Sequence, residues 1–236
     1  MGISRYLAMT KAEMASFSLR NSEKPAFMAC HFSPYGRGLS NLPTSLPPDA
    51  MLILNDRTPI CGHDPIRIVR EVTEVVECFS CGCVLLDFER IGFPEAQKLC
   101  ECLVSSLSCP VGVAETYGKD LVCPVFLPPM PLDVTMEAYL APWEGREVWL
   151  DIAPDAARVS VTKDGSVYTP LPVSFPQTDT FEDTALHCYY KAEIKEDRID
   201  FNLWRNWKTL ILEADRRGVT KCVGLYQQLC SNFKEI

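Results

Sequence analysis

Clustered basic residues, membrane-length apolar runs and phosphate-cradling glycine motifs are all missing from this 236-residue chain. Lys and Arg number 23 against 31 Asp and Glu, a net charge of -8. Nucleic acids and anionic membrane surfaces are recognised through clusters of Lys and Arg, so neither is expected as a partner. No stretch approaches the roughly 18 continuous apolar residues of a membrane span. Arg5, Lys11, Glu13 and Arg20 interrupt the first 24 residues, leaving no apolar core of export-signal type. A cytoplasmic protein is the expectation. No Gly-x-Gly-x-x-Gly turn follows the first strand pattern and no Gly-x-x-x-x-Gly-Lys occurs, which leaves nucleotide-phosphate cradles unsupported. No cofactor is expected.

Histidine is scarce as well: His31, His63 and His187 are the whole set. A metal-dependent hydrolase using His31, Asp56, Glu89 and Glu115 is therefore the weakest functional reading. The twelve Cys come nearest to a zinc pattern in Cys78-x-x-Cys81-x-Cys83 and Cys100-x-Cys102. Cys83 falls inside an apolar strand, however, and Cys100 and Cys102, two apart on a helix, do not share a face. Small buried thiols kept reduced are the expectation, with no metal site.

What is present is an ordinary globular balance, 47% apolar and 23% charged. The chain reads as one domain, 1–236, with a loosely held N-terminal arm over 1–24 and a short helix over Lys11–Leu19. Buried-strand patterns then alternate with helical ones. Strands are read at Pro25–Phe32, Ala50–Leu54, Gly82–Arg90, Cys109–Glu115, Asp120–Leu127, Glu147–Ala153 and Thr220–Gln228. Helices are read from Asp64-Pro65 onward (Ile66, Val69, Val72, Val76 on one face), over Phe93–Leu107, over Val134–Leu140 and over Trp204–Arg217. Asp164-Gly165 marks a hairpin, and 155–201 reads as an antiparallel β insertion. The pattern is an α/β protein of the (β/α)8 TIM-barrel kind plus the insertion; about seven strands are visible, which leaves open whether the barrel is whole or has one unit missing.

The run Gly82-Cys83-Val84-Leu85-Leu86-Asp87-Phe88-Glu89-Arg90 is the focus of the chain. Asp87 and Glu89, two apart on a strand, point the same way. Mutual repulsion would hold one proton to a higher pH, which suits a general acid. In parallel barrels chemistry gathers at the C-terminal ends of strands. Those ends bring forward His31, Asp56, Asp87 with Glu89, Glu115, Asp151, Tyr226 and Gln228 as candidates. Trp143, in an Ala-Pro-Trp-Glu-Gly loop, is a candidate for stacking on a sugar.

Val84-Leu85-Leu86-Asp87-Phe88-Glu89 resembles the fourth-strand signature of chitinase-like glycoside hydrolases of family 18, Asp-Gly-apolar-Asp-apolar-Asp-x-Glu. The passage Arg216-Arg-Gly-Val-Thr-Lys-Cys-Val-Gly-Leu-Tyr-Gln227 is similar to that family's closing helix-to-strand segment. The resemblance implies a TIM barrel, Glu89 as general acid, and Asp87 as the neighbour supporting a substrate acetamido group. Leu85 stands at the middle Asp, and Gly82-Cys83 stand at the first Asp-Gly. Val125–Met130 lacks the Tyr that the family carries on its sixth strand. The functional expectation is a glycoside hydrolase acting on an oligosaccharide or other small polar substrate. The alternative is a non-catalytic carbohydrate-binding or scaffold protein on a degenerate barrel.

Overall fold

The computed structural model describes residues 2–17, 23–29, 31–32, 39–40, 42–55, 64–88, 95–153, 155–172 and 180–232. Its strands in chain order are β1 Ser4–Met9, β2 Glu23–Ala29, β3 His31–Phe32, β4 Leu39–Ser40, β5 Met51–Asn55, β6 Cys83–Asp87, β7 Val111–Ala114 and β8 Val125–Leu127. They continue with β9 Val148–Asp151, β10 Ala156–Thr162, β11 Gly165–Pro170, β12 Phe181–Asp183, β13 Cys188–Ile194, β14 Ile199–Arg205 and β15 Lys221–Leu225. The helices are α1 Lys11–Ser16, α2 Pro65–Phe79, α3 Glu95–Ser106, α4 Glu115–Gly118, α5 Met136–Leu140, α6 Trp207–Arg216 and α7 Tyr226–Asn232.

Strands β1, β2, β5, β6, β7, β8, β9 and β15 close into a barrel in which every neighbouring pair is parallel. Side chains alternate between its two faces. Tyr6, Ala8, Ala26, Met51, Ile53, Cys83, Leu85, Phe126, Trp149 and Val223 fill the lumen. Leu52, Leu54, Val84, Leu86, Val111 and Val113 face outward, under Val72 of α2 and Leu99 and Leu103 of α3. Covering on both faces is why these strands read as unbroken apolar runs. Trp149 dominates the lumen: a Cβ on Gly112 would lie 2.3 Å from its ring, so β7 has a glycine where β9 sends an indole across.

Two expectations are corrected here. Residues 4–9, read as part of an arm, form β1, hydrogen-bonded between β15 and β2, and without it the barrel would not close. Only four of its residues, Tyr6 to Met9, are buried, and its partners are remote in sequence, so no local pattern announced it. No strand is missing. What the second unit lacks, among the described residues, is a helix between β2 and β5. The two-residue β3–β4 ladder follows β2, and Leu42 and Leu46 of the segment before β5 pack against the outer layer instead.

Local chemistry explains the helix that follows β5. The Asp64 carboxylate accepts from the Ile66 amide at 3.0 Å, Pro65 occupies the first turn, and Ser80 closes the helix in the left-handed region. The buried stripe is Ile68, Val72 and Val76. Ile66, expected on that stripe, is 79% exposed, because two residues turn a helix through about 200°.

The insertion is a five-stranded antiparallel sheet, ordered β11-β10-β14-β13-β12, between β9 and α6. The expected hairpin is present, but it turns at Lys163-Asp164, one residue before the Asp164-Gly165 read from the sequence, and Gly165 opens β11. Strand β14 runs on to Arg205, so Trp204 is a strand residue and the helix begins at Trp207. Leu132, Ala157, Cys188 and Leu203 form the buried seam between sheet and barrel.

Candidate functional site

The lower lumen is closed by side chains that bond to one another. Tyr6 Oη lies 3.6 Å from Cys83 Sγ, and burial drives both upward in pKa, the thiol to about 11. Lys221 Nζ sits 4.4 Å from the Trp149 ring centroid, and Glu147 accepts from Trp149 Nε1 at 2.9 Å and Thr220 Oγ1 at 2.7 Å. This end of the barrel is occupied by its own structure.

The opposite rim, at the C-terminal strand ends, carries the candidates. Asn55 and Asp87 are register partners on β5 and β6, beyond lumen residues Ile53 and Leu85, so strand alternation turns both toward the barrel mouth. Asn55 is buried and Asp87 half-buried. Glu115 follows β7 directly as the first residue of α4, and Asp151 ends β9; both are half-buried. Glu89 and Asp56 lie outside the described residues. His31, read as a strand end of the barrel, instead pairs with Ser40 in the β3–β4 ladder.

Three candidates belong elsewhere or to other work. Trp143 ends a 3-10 turn over Ala141–Trp143 that leads into the N-terminal end of β9, so it lies at the closed end of the barrel and not at the mouth. It packs on the outer layer with Arg146 over its ring at 6.0 Å. Arg146 in turn donates to the carbonyls of Gly118, Lys119, Leu121 and Cys123, tying down the loop before β8. Tyr226 opens α7 and meets the Phe17 ring edge-on, centroids 5.2 Å apart. Gln228 is exposed on that same helix, because the last strand ends at Leu225.

Residues that the sequence did not single out complete the rim. The Tyr139 hydroxyl, from α5, donates to the Pro128 carbonyl at the end of β8. Burial raises its pKa, and the charges of Glu115 and Asp151 raise it further while Arg205 opposes them. Tyr139 thus brings a phenol to the end of the sixth barrel strand from a helix, where strand residues 125–130 offer none. Arg205 is buried and donates to Leu186 O at 2.9 Å and to Met130 O. Burial lowers its pKa, countered by Asp155. Asp155, at the joint of barrel and insertion, is itself raised by burial, with Arg205 pulling the other way. Beside the acidic rim there is thus a buried guanidinium, with Asp155 as its carboxylate neighbour. A basic residue at the far end of a long insertion was the available signal. Among the described residues no group of three His, Cys, Asp or Glu could hold a metal ion.

No family model matches the chain, and no curated protein matches it. Solved structures do match. The spore cortex-lytic enzyme SleL of Bacillus cereus aligns with a TM-score of 0.55 at 10% identity, over 94% of this chain and 70% of that one. SleL of Bacillus megaterium gives 0.54 at 9%, with the same coverage. The C-terminal domain of a presumed chitinase from Desulfitobacterium hafniense gives 0.55 at 10%, over 94% of this chain and 93% of that one. At such identities the barrel fold alone is what is shared.

Proposed function

We propose that this chain is a glycoside hydrolase acting on an oligosaccharide, with Glu89 as general acid at the mouth of the barrel. The observation that carries the reading is the position of Asp87. It ends the fourth barrel strand on the lumen side, beside Asn55, and Glu89 follows it two residues later in the sequence. That strand is the one on which the family 18 signature falls. A sheet inserted after the seventh strand agrees with the resemblance, and the shared fold adds support. Asp87 then supports the acetamido group of the substrate. Asp151 and Glu115 are the rim carboxylates available as partners in a two-carboxylate mechanism, the separation of the pair deciding between retention and inversion.

One observation favours the alternative of a non-catalytic saccharide binder. Cys83 and Leu85, at the positions of the signature's Gly and middle Asp, are buried members of an apolar lumen. A single experiment separates the two readings. The purified chain is assayed on fluorogenic chitobiose and glucoside substrates and on spore cortex material. Hydrolysis that falls by about 10²–10⁴-fold in Glu89→Gln, at unchanged melting temperature, is the expected result. A wild type inert on every substrate, whose melting temperature nevertheless rises with added sugar, gives the binder.

A further inference from the structure

Beyond its seam with the barrel, the inserted sheet leaves the outer part of one face bare. Strand register sorts the side chains of that face into rows. Ser166, Val161, Ile199 and Ile194 form the row at the tip, and Tyr168, Val159, Phe201 and Ala192 the next. A third row runs through Ala157, Leu203 and Tyr190 to Phe181, whose ring lies 5.7 Å from that of Tyr190. Ala157 and Leu203 are buried in the seam. Ile194 is 84% exposed, Phe181 67%, and Tyr168, Val161 and Ile199 are exposed as well.

No residue of these rows is charged, in a chain that is 23% charged with a net charge of -8. The opposite face of the same strands carries Arg158, Asp200, Lys191 and Glu193. An antiparallel sheet that meets water on one side normally turns its polar residues to that side, and here the apolar side is open too. The bare apolar surface is about 500 Å², toward the upper end of what monomeric proteins leave exposed. Two copies meeting across it would bury about 1,000 Å² in total, the lower limit for a specific interface. The face offers no carboxylate to draw a basic partner. It does offer a regular sheet, which stacks on another sheet about 10 Å away with the strands within about 30°. A two-fold axis through the face sets its rows against the same rows of a second chain. Elsewhere two such acidic chains repel each other; here no like charges are opposed.

We infer that the apolar outer face of the inserted sheet is a self-association surface, which packs sheet to sheet on the same face of a second copy of this chain. The small area and the like net charges make the dimer a weak one, with a dissociation constant on the order of tens of micromolar. It stands apart from the barrel-mouth proposal and needs no saccharide.

The test is sedimentation equilibrium of the full chain from about 1 µM to about 200 µM, a range that brackets such a constant. Monomer at the dilute end and dimer at the concentrated end are expected. Ile194→Lys, which puts a charge into the tip row, should weaken the dimer at least about tenfold. Its folding is checked separately by unfolding at about 1 µM, where the dimer is dissociated and contributes nothing to the midpoint. Val167→Lys is the matched control. Val167 is 62% exposed but stands opposite Ser160 on the other face, so the same new charge there should leave the dimer as it was. Raising salt from about 0.05 M to about 0.5 M should tighten the dimer, because it screens the repulsion between two acidic chains and leaves apolar contact intact. A chain still monomeric at the highest concentration, a dimer that survives Ile194→Lys, one lost equally in Val167→Lys, or one that salt dissociates would each overturn the assignment.

Discussion

The barrel and the sheet inserted into it solve burial in different ways. Barrel strands are apolar on both faces; every residue of β5 is buried, with helices outside and the packed lumen within. The inserted strands alternate. Ala157, Val159 and Val161 of β10 stand opposite Leu203, Phe201 and Ile199 of β14 on one face, with Arg158 and Ser160 opposite Asn202 and Asp200 on the other. The apolar face is covered only near the barrel, at Ala157, Leu203 and Cys188; farther out Val161, Ile199 and Ile194 are exposed, the last at 84%. On the polar face Asp200 is buried and held by Ser160 Oγ at 2.6 Å, Arg198 Nε at 3.1 Å and Lys195 Nζ. The barrel is fixed by shape, the sheet by hydrogen bonds and charge.

That contrast predicts a graded response to substitution. The largest effect is expected in the lumen, where Trp149→Ala should cost about 3–5 kcal/mol in urea unfolding. Gly112→Ala alone should cost about 1–3 kcal/mol by pushing a Cβ into the indole. In the double variant the second cost should largely disappear; strict additivity would show that the two do not share space. A smaller, pH-dependent difference is expected in the sheet. Its partners, Lys195 foremost, hold the Asp200 carboxyl well below the usual range. The stability it contributes is therefore complete above the unfolded carboxylate value of about 3.9 and is lost as pH falls from there toward the folded value. The melting-temperature gap between wild type and Asp200→Asn should be constant at pH 5–7 and close progressively below pH 4. A gap that widens on acidification would contradict the charge account. The smallest effect belongs to the sheet's outer apolar residues: Ile194→Lys should change stability by no more than about 0.5 kcal/mol in the same assay.

The same contrast explains what could be read in advance. Unbroken apolar runs identified β5, β6 and β7, because a strand covered on both sides leaves that mark in any sequence. Asp64-Pro65 and Asp164-Gly165 were legible because caps and turns are decided by a few adjacent residues. Strand β1 was not, since a short segment beginning Ser-Arg becomes a barrel strand only through partners at the other end of the chain. Trp143 failed for a related reason. An aromatic residue in a loop says nothing about which end of a barrel the loop occupies. Asp87 and Asp151 were singled out as acids at strand ends, whereas Tyr139 and Arg205 come from a helix and from the far side of an insertion, which no spacing rule anticipates.

The inserted sheet enters and leaves the barrel side by side: Ala156, its first residue, pairs directly with Trp204, near its last. Its two distal turns, at 163–164 and 195–198, lie at the other end of those strands. Such a lobe hangs on a double stem. Evolution could lengthen, shorten or redecorate its outer half without disturbing the closure of the barrel, and so vary what stands beside the mouth while leaving the mouth itself alone.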